Sequence, residues 1–433
     1  MEKQDLFNKL IYILKENHVN YAIVGNTDDY PTSIGSDIDI VIPRKEIGLF
    51  HKIIWAIQDS QTMVVQMIQH EIVAFYYVIM HFSDNKIECI QPDVCTDYYR
   101  HGKLLMTADY LLKGKREAKQ GGFCVLSSEK EFIYYILKKI DKMQISDLQF
   151  QHLRRVYAES PTLCKKELLE IWSEGQSSII IDAIENNNIE MIINNIELLQ
   201  RGIHQKKTQN LDDFVKNLLL KCKRIIYPTG MTIGVMGPDG VGKTTVMMQV
   251  EKDIHPAFRR IQRFHFCPRP QKQSSSIVVD PHGKQPRGIL LSALKLLYLA
   301  KSYMIGHWRY VCPMTVKSTL TIFDRYYDDI LVDPVRYRNS APNWFVEFIG
   351  HLIPKPDLWV VLDCPTEIIQ QRKSEVSHEE TERQRKAYVA FASMKGDDAI
   401  IVKTNQLVQD ISYTICQFVC RYLHQRATKR YKK

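Results

Sequence analysis

At 433 residues the chain exceeds what one hydrophobic core organises, so two or three domains are expected. Hydrophobic residues make up 45% and charged residues 25%, an ordinary globular balance that excludes disordered and fibrous classes. The net charge of +9 is dispersed, and only the tail from Arg421 to Lys433 is densely basic; that pattern offers no nucleic-acid module and suits a protein handling small anions.

The ten cysteines are scattered and include no C-x-x-C pair, which points away from a zinc site or a disulfide framework and towards reduced thiols. The opening segment, MEKQDLFNKLIYILKENHVNY, spaces its apolar residues as an amphipathic helix does. It lacks the uninterrupted apolar run and cleavage site of a signal peptide, so the expected location is cytoplasmic. Next come a strand (YAIVG), a loop, a strand (DIDIVI), a helix, and two β-rich runs, FYYVIMHF and KIECIQ, around the turn residues Ser83-Asp84-Asn85. Residues 1–112 therefore read as an α+β domain.

From 113 to 227 the apolar residues fall at helical spacing, as in EFIYYILKKI and DDFVKNLLLKC. This predicts a helical connector whose faces pack the domains together or form a homodimer interface. At Tyr227-Pro228-Thr229-Gly230 a turn introduces the strand MTIGVM, and strands then alternate with helices to the end. Residues 228–433 are thus expected to form an α/β domain with a parallel, doubly wound sheet. Within it the most apolar stretch, Gly288 to Val311, carries Lys295, Lys301, His307 and Arg309. That density of charge argues against a membrane span and predicts a buried helix.

Gly237-Pro238-Asp239-Gly240-Val241-Gly242-Lys243-Thr244 satisfies G-x-x-x-x-G-K-[ST], following an apolar strand and preceding the helical run that begins at Thr245. The glycines let the chain curl so that successive N–H groups face phosphate oxygens. In this P-loop Lys243 would reach the β- and γ-phosphates of ATP and the Thr244 hydroxyl would ligate Mg2+, while the following helix adds its positive end. Leu320-Thr321-Ile322-Phe323-Asp324-Arg325-Tyr326-Tyr327 is a strand ending in a charged pair, where parallel sheets place ligands.

Here the chain resembles thymidylate kinase. GPDGVGKTT is similar to that family's phosphate loop with an internal aspartate, at Asp239; Asp324-Arg325-Tyr326 resembles its Asp-Arg-Tyr element; PKPDLWVVLDCPTEIIQQRK resembles its "P-x-P-D-L … L-D-x-P-x-E … R" strand and helix, ending at Arg372. The resemblance spans roughly Met231 to Val402. It implies that Asp324 holds magnesium or orients the acceptor and that Arg325 clamps the acceptor's phosphate through two parallel hydrogen bonds. Arg372, with Lys373, Arg383, Arg385 and Lys386, would lie in a lid that neutralises charge on the transferred group. Between the phosphate loop and Asp324 the pattern departs from the family, with RFHFCPRPQ and VDPHGKQPRG. DDILVDPVRYRN then follows the Asp-Arg element, and its Asp333, Arg336 and Arg338 are candidates to line an acceptor pocket. The set looks like the divergent thymidylate-kinase-like proteins associated with bacterial surface polysaccharide synthesis.

Near the N-terminus, Val24-Gly25-Asn26 and Ser36-Asp37-Ile38-Asp39-Ile40 resemble the nucleotidyltransferase-fold pattern of a G-[GS] turn followed by D-x-D on a strand. Asn26 stands where the family has a small residue. Aspartates at i and i+2 share a strand face, so Asp37 and Asp39 would hold divalent metal, with a third carboxylate from Asp93 or Glu88, Asp93 being favoured.

The leading expectation is a P-loop kinase transferring a phosphoryl group from ATP to a nucleoside monophosphate-like or sugar-phosphate acceptor. A nucleotide-binding or nucleotidyl-transferring N-terminal domain would accompany it. The alternatives are a nucleotidyltransferase acting through Asp37 and Asp39 with a regulatory kinase-like half, and an ATP-dependent switch.

Overall fold

The computed structural model describes residues 2–100, 103–205, 211–269, 285–373 and 376–431. The chain forms two compact units, one comprising Met1–His81 with Glu88–Cys222 and the other Phe82–Ile87 with Lys223–Lys433.

In the first unit the helix Lys3–Glu16 buries Leu6, Phe7, Leu10, Ile11 and Leu14, the face that its apolar spacing implies. Among the described residues the strands that follow are, in chain order, β1 (Ala22–Ile23), β2 (Ile38–Val41), β3 (Thr62–Glu71), β4 (Ala74–Ser83), β5 (Lys86–Ile90), β6 (Pro92–Cys95), β7 (Asp97–Arg100), β8 (Lys103–Thr107), β9 (Arg116–Glu117) and β10 (Cys124–Val125). The main sheet runs β3-β4-β6-β2-β1-β10-β9 with β5 on β4, and β7 pairs β8 separately. β3 was not expected from its sequence; it pairs antiparallel with β4 across two register shifts, which break the simple alternation a strand would display.

The expected division at Leu112 is corrected by the packing. β10 continues the sheet by pairing parallel with β1, and β9 extends it further, so strands run into the segment predicted to be purely helical. Each is two residues long, too short to display a period of its own. The helices from Ser128–Asp141 to Ile196–Gln205 share one core with the sheet: Phe132, Leu137, Leu153 and Trp172 belong to the same buried cluster as Ala22, Val24 and Val41.

The second unit holds β11 (Met231–Met236), β12 (Arg260–His265), β13 (Thr319–Asp324), β14 (Leu358–Asp363) and β15 (Ala399–Lys403). All are parallel, in the order β12-β13-β11-β14-β15. β11 is buried along its whole length and β13 at all but its last residue, as expected of strands covered on both faces. Register sets Val235 beside Asp324, so the loops leaving β11 and β13 emerge next to each other.

The apolar stretch after Gly288 is a helix, Ile289–Gly306, continued by a π-helical turn to Val311. Contrary to expectation it is not buried all round. Leu296, Leu299, Ala300 and Tyr303 enter the core, whereas Leu290, Leu294, Leu297, Met304 and Trp308 are exposed. By length and composition alone, Ile289–Val316 is apolar enough to cross a membrane.

Gly234, in the middle of β11, lies beside Trp359 of β14, and a Cβ there would sit 2.7 Å from the indole ring. Gly234→Val is expected to lower stability by ~1–3 kcal/mol through overpacking, read as a lower thermal midpoint. An unchanged midpoint would show that the indole moves aside freely.

Candidate functional site

The loop between β11 and the helix Lys243–Ile254 curls through Gly237 and Gly242, at φ 147° and 99°, conformations that side chains resist. At Gly237 the constraint is doubled, because a Cβ would meet the Leu362 carbonyl at 2.7 Å. Asp239, Gly240 and Val241 complete the curl, with Thr244 and Thr245 exposed at the start of the helix. Lys243 folds back over the loop, its Nζ donating to the Gly237 and Pro238 carbonyls at 2.8 and 2.9 Å and lying 3.6 Å from Asp239. Burial and the nearby Arg325 lower its pKa to about 8.

Asp324 ends β13 beside this loop. One carboxylate oxygen faces His265 Nδ1 at 3.7 Å; the other, Oδ1, is buried with no hydrogen-bond partner. Burial works against its ionisation, yet His265 and the Lys243 charge hold its carboxyl below the usual value. A buried carboxylate oxygen without a partner fits a hard cation. Among the described residues no cluster of three His, Cys, Asp or Glu could hold a metal, so the expected set of Asp37, Asp39 and Asp93 does not form one. A lone carboxylate such as Asp324 suits Mg2+, which takes few protein ligands and completes its shell with phosphate oxygens and water.

Arg325 is the centre of a buried network. It sits at φ 69° and is 3% exposed. Its Nη2 donates to Asp239 at 2.6 Å, and its Nη1 to Asp329 at 2.7 Å and to the Tyr388 hydroxyl at 3.0 Å. Asp329, fully buried, also accepts from Tyr337 and Tyr388. Arg336 reaches the second oxygen of Asp239. In this arrangement the Arg325 guanidinium faces protein carboxylates, because Asp329, four residues on at the start of a short helix, draws the side chain inward. The two-bond clamp expected on an acceptor phosphate is occupied by the protein's own acids.

Beside the network opens a cavity of about 500 Å³. Arg269, Arg287, Lys295, Arg336 and Arg338 line it together with His265, and among the described residues no carboxylate does. Phe266 and Tyr337 stack at 4.8 Å on its wall. Of the three residues proposed for an acceptor pocket, Arg336 and Arg338 contribute, but Asp333 does not. It is buried, accepting from the Arg336 N–H and from Gln384, and so holds the turn that carries the arginines. His265, Arg269, Arg287 and Lys295 were missed as site residues because they are spread over separate elements. The Phe-His-Phe and Pro-Arg-Pro runs were the only signal, and the part of the divergent segment from 270 to 284 lies outside the described residues.

Arg372 lies against the phosphate loop, donating to the Val241 and Thr404 carbonyls at 3.4 and 3.2 Å. Lys373 also adjoins the loop, its Cβ 3.1 Å from where a Cβ on Gly240 would lie, whereas the remaining expected lid cations are differently placed. Arg385 pairs with Asp363 and Glu382, Arg383 with Glu380, and Lys386 with Glu382. They brace the helix His378–Lys395, whose neighbouring acids at i−3 and i−4 take up their charge.

In the first unit, parallel pairing of β2 with β6 sets Asp39 beside Asp93, and Tyr76 of β4 lies on the other side of Asp93. Glu88 sits on β5, which pairs with β4, so Asp93 is the carboxylate adjoining Asp39. Asp37, just before β2, accepts from the Tyr76 hydroxyl at 3.1 Å. Lys138 adds a cation, bonding Asp39 at 3.0 Å; burial alone would discharge it, but Asp39 raises its pKa above the usual value. Burial and Asp39 raise the Asp93 carboxyl to about 6. The Gly25 N–H donates to Glu131 at 2.8 Å, and the Asn26 side chain accepts from Arg155. The turn expected to meet a nucleotide is thus held by a carboxylate from the helix Ser128–Asp141.

No family model matches the chain. Among solved structures it is similar to thymidylate kinase from Ehrlichia chaffeensis, with 14% identity and a TM-score of 0.31 over 44% of this chain and 98% of that one. At that level the likeness carries no functional argument.

The Asp93 shift has a measurable consequence. A carboxyl whose folded pKa is about 6, above its unfolded value, binds more protons folded than unfolded between about pH 4 and 6, so it costs stability as pH rises through that window. Asp93→Asn is expected to raise stability by about 1–3 kcal/mol at pH 7.5, and by little at pH 4, in thermal melts without divalent cations. A gain equal at both pH values would contradict the shift.

Proposed function

We propose that the second unit is a P-loop kinase that transfers the γ-phosphoryl group of ATP to an anionic small molecule held in the cavity lined by Arg336. The observation that carries this reading is the juxtaposition of a glycine-curled phosphate loop with a cavity whose described lining holds five cations and no carboxylate. A nucleoside monophosphate or sugar phosphate suits that charge. Loop N–H groups and Lys243 would hold the ATP phosphates, and Arg372, already against the loop, would add charge to them. Asp324 and Thr244 would hold Mg2+, which supplies charge neutralisation on the phosphates when bound.

Arg325 serves in this reading as a positioning residue. It fixes Asp239 and the end of β13, leaving Arg336 and His265 to face the acceptor. Little covalent chemistry is asked of the protein, which works by positioning and by neutralising charge.

The first unit supports a nucleotide-binding role through the neighbouring Asp37, Asp39 and Asp93, although Lys138 already neutralises part of that charge. A nucleotidyl-transferring activity there is the second reading.

Incubation with Mg-ATP and a panel of nucleoside monophosphates and sugar phosphates, read by mass spectrometry, separates the two. A product heavier by one phosphoryl group, lost by about 100-fold or more in Lys243→Ala and kept in Asp37→Ala, is expected. A nucleotidylated product that needs Asp37 would place the active head in the first unit and overturn the kinase reading. Arg336→Ala is expected to raise the acceptor KM about tenfold or more while leaving ATP affinity near its original value.

ATP affinity should also fall as pH climbs above about 8. Below that pH Lys243 is already charged in the free protein; above it, binding must restore a proton. Calorimetry at pH 9 in buffers of differing ionisation enthalpy is expected to detect this uptake, and affinity unchanged up to pH 10 would refute it.

A further inference from the structure

We infer that the acceptor carries two anionic groups and that Arg287 and Arg338 hold the one that takes no part in transfer; the inference rests on the kinase reading of the second unit. The turn from Asp333 to Arg338 sends its two arginines to different places. Arg336 reaches Asp239 of the phosphate loop, so with His265 beside Asp324 it marks the end of the cavity where transfer would occur. Arg338 is tied to another segment: its backbone is left-handed, at φ 54°, and its Nε donates to the Gln285 carbonyl at 2.8 Å. Arg287, just before the helix Ile289–Gly306, completes the tie, its Nη1 donating to the Tyr337 carbonyl at 2.9 Å and its backbone N–H to the Arg338 carbonyl at 3.2 Å.

These cross-ties set two partly buried guanidiniums on one stretch of cavity wall. Their protein acceptors are neutral carbonyls, which occupy single N–H groups of each fork and leave the others for a ligand. Like charges held together away from bulk water repel, and among the described residues no carboxylate relieves them. Arg325 and Arg336, by contrast, are both answered by Asp239. A pair of arginines that the protein orients without neutralising is suited to an oxyanion, which each planar fork can meet with two hydrogen bonds.

Charge counting selects the occupant. Arg269 and Lys295 lie over the Tyr298 ring at 5.4 and 5.2 Å and also meet no described carboxylate, so four of the five cations in the cavity lining are uncompensated. One phosphomonoester brings about −1.5 to −2 charges and would leave half of that surplus unanswered. Two oxyanion groups match it. The cavity of about 500 Å³ falls within the ~300–1,000 Å³ of small-molecule sites, so both groups fit on one compact ligand, such as a sugar bisphosphate or a nucleoside bisphosphate.

Calorimetric titration of the full chain at fixed ionic strength tests this with matched probes: thymidine 5′-monophosphate against thymidine 3′,5′-bisphosphate, and glucose 6-phosphate against glucose 1,6-bisphosphate and 6-phosphogluconate. In at least one set the two-anion compound is expected to bind about tenfold or more tightly than its one-anion partner. Arg287→Gln with Arg338→Gln, its fold checked by circular dichroism, should bring that ratio near one, whereas Arg336→Ala should weaken both members and keep the ratio. No preference in any set, or a preference that survives the double variant, would overturn the second group. So would an equal gain for a one-anion probe on adding inorganic phosphate, which would assign the arginine pair to a separate anion. Incubating the same probes with Mg-ATP separates this inference from the reading beneath it. Product formed as readily from one-anion as from two-anion probes removes the second group and keeps the kinase; no product from any probe removes both.

Discussion

The phosphate-loop region depends on how Arg325 is balanced. A guanidinium 3% exposed carries a desolvation cost of several kcal/mol that only close, well-aimed acceptors offset. Asp239 and Asp329 provide them from opposite sides, and the Tyr388 hydroxyl occupies a further acceptor position. Asp329 is in turn satisfied by Tyr337 and Tyr388, so each member removes another's penalty. The backbone at Arg325 adopts a left-handed conformation, costly for a residue with a Cβ, and persists because both ends of the side chain's network are fixed.

From that balance follows the electrostatics of the loop. Asp239 is shared between Arg325 and Arg336, with Lys243 close behind, so the one acid inside the phosphate loop is more than neutralised. Burial first and the Arg325 charge second discharge Lys243 in part, against the pull of Asp239, Asp324 and Asp329. An anion arriving at the cavity beside the loop meets cations, Arg336 and Arg287 among them, that ion pairs and backbone carbonyls hold in place. Such preorganisation is what makes cations effective toward phosphate.

The acidic site of the first unit is arranged the opposite way. There the surplus is negative: Asp37, Asp39 and Asp93 converge through strand register, Asp93 responds with a raised pKa, and Lys138 compensates in part. One unit therefore concentrates positive charge and the other negative charge, each at the ends of sheet strands. In the second unit, parallel pairing alone brings β11 and β13 out side by side, which is why Asp324 and the phosphate loop meet.

Much of this was legible in the sequence because some chemistry demands contiguous residues. The phosphate loop is a local motif: its glycines, Lys243 and Thr244 must follow a strand and open a helix, so a few contiguous letters announce the strand, loop and helix that the structure holds. The alternation of strands and helices after Gly230 likewise determined a parallel sheet, whereas of the D-x-D pair only Asp39 lies on β2, Asp37 coming just before it. Tertiary structure alone decided what depends on register and packing. It set Asp93, not Glu88, beside Asp39 because β6, not β5, pairs with β2. It turned Arg325 inward because Asp329 and Tyr388 lie where they do, and it gathered cations from three separated segments into one cavity. It also left half of the most apolar helix exposed, since hydropathy counts apolar residues all round a helix while the core touches only one side.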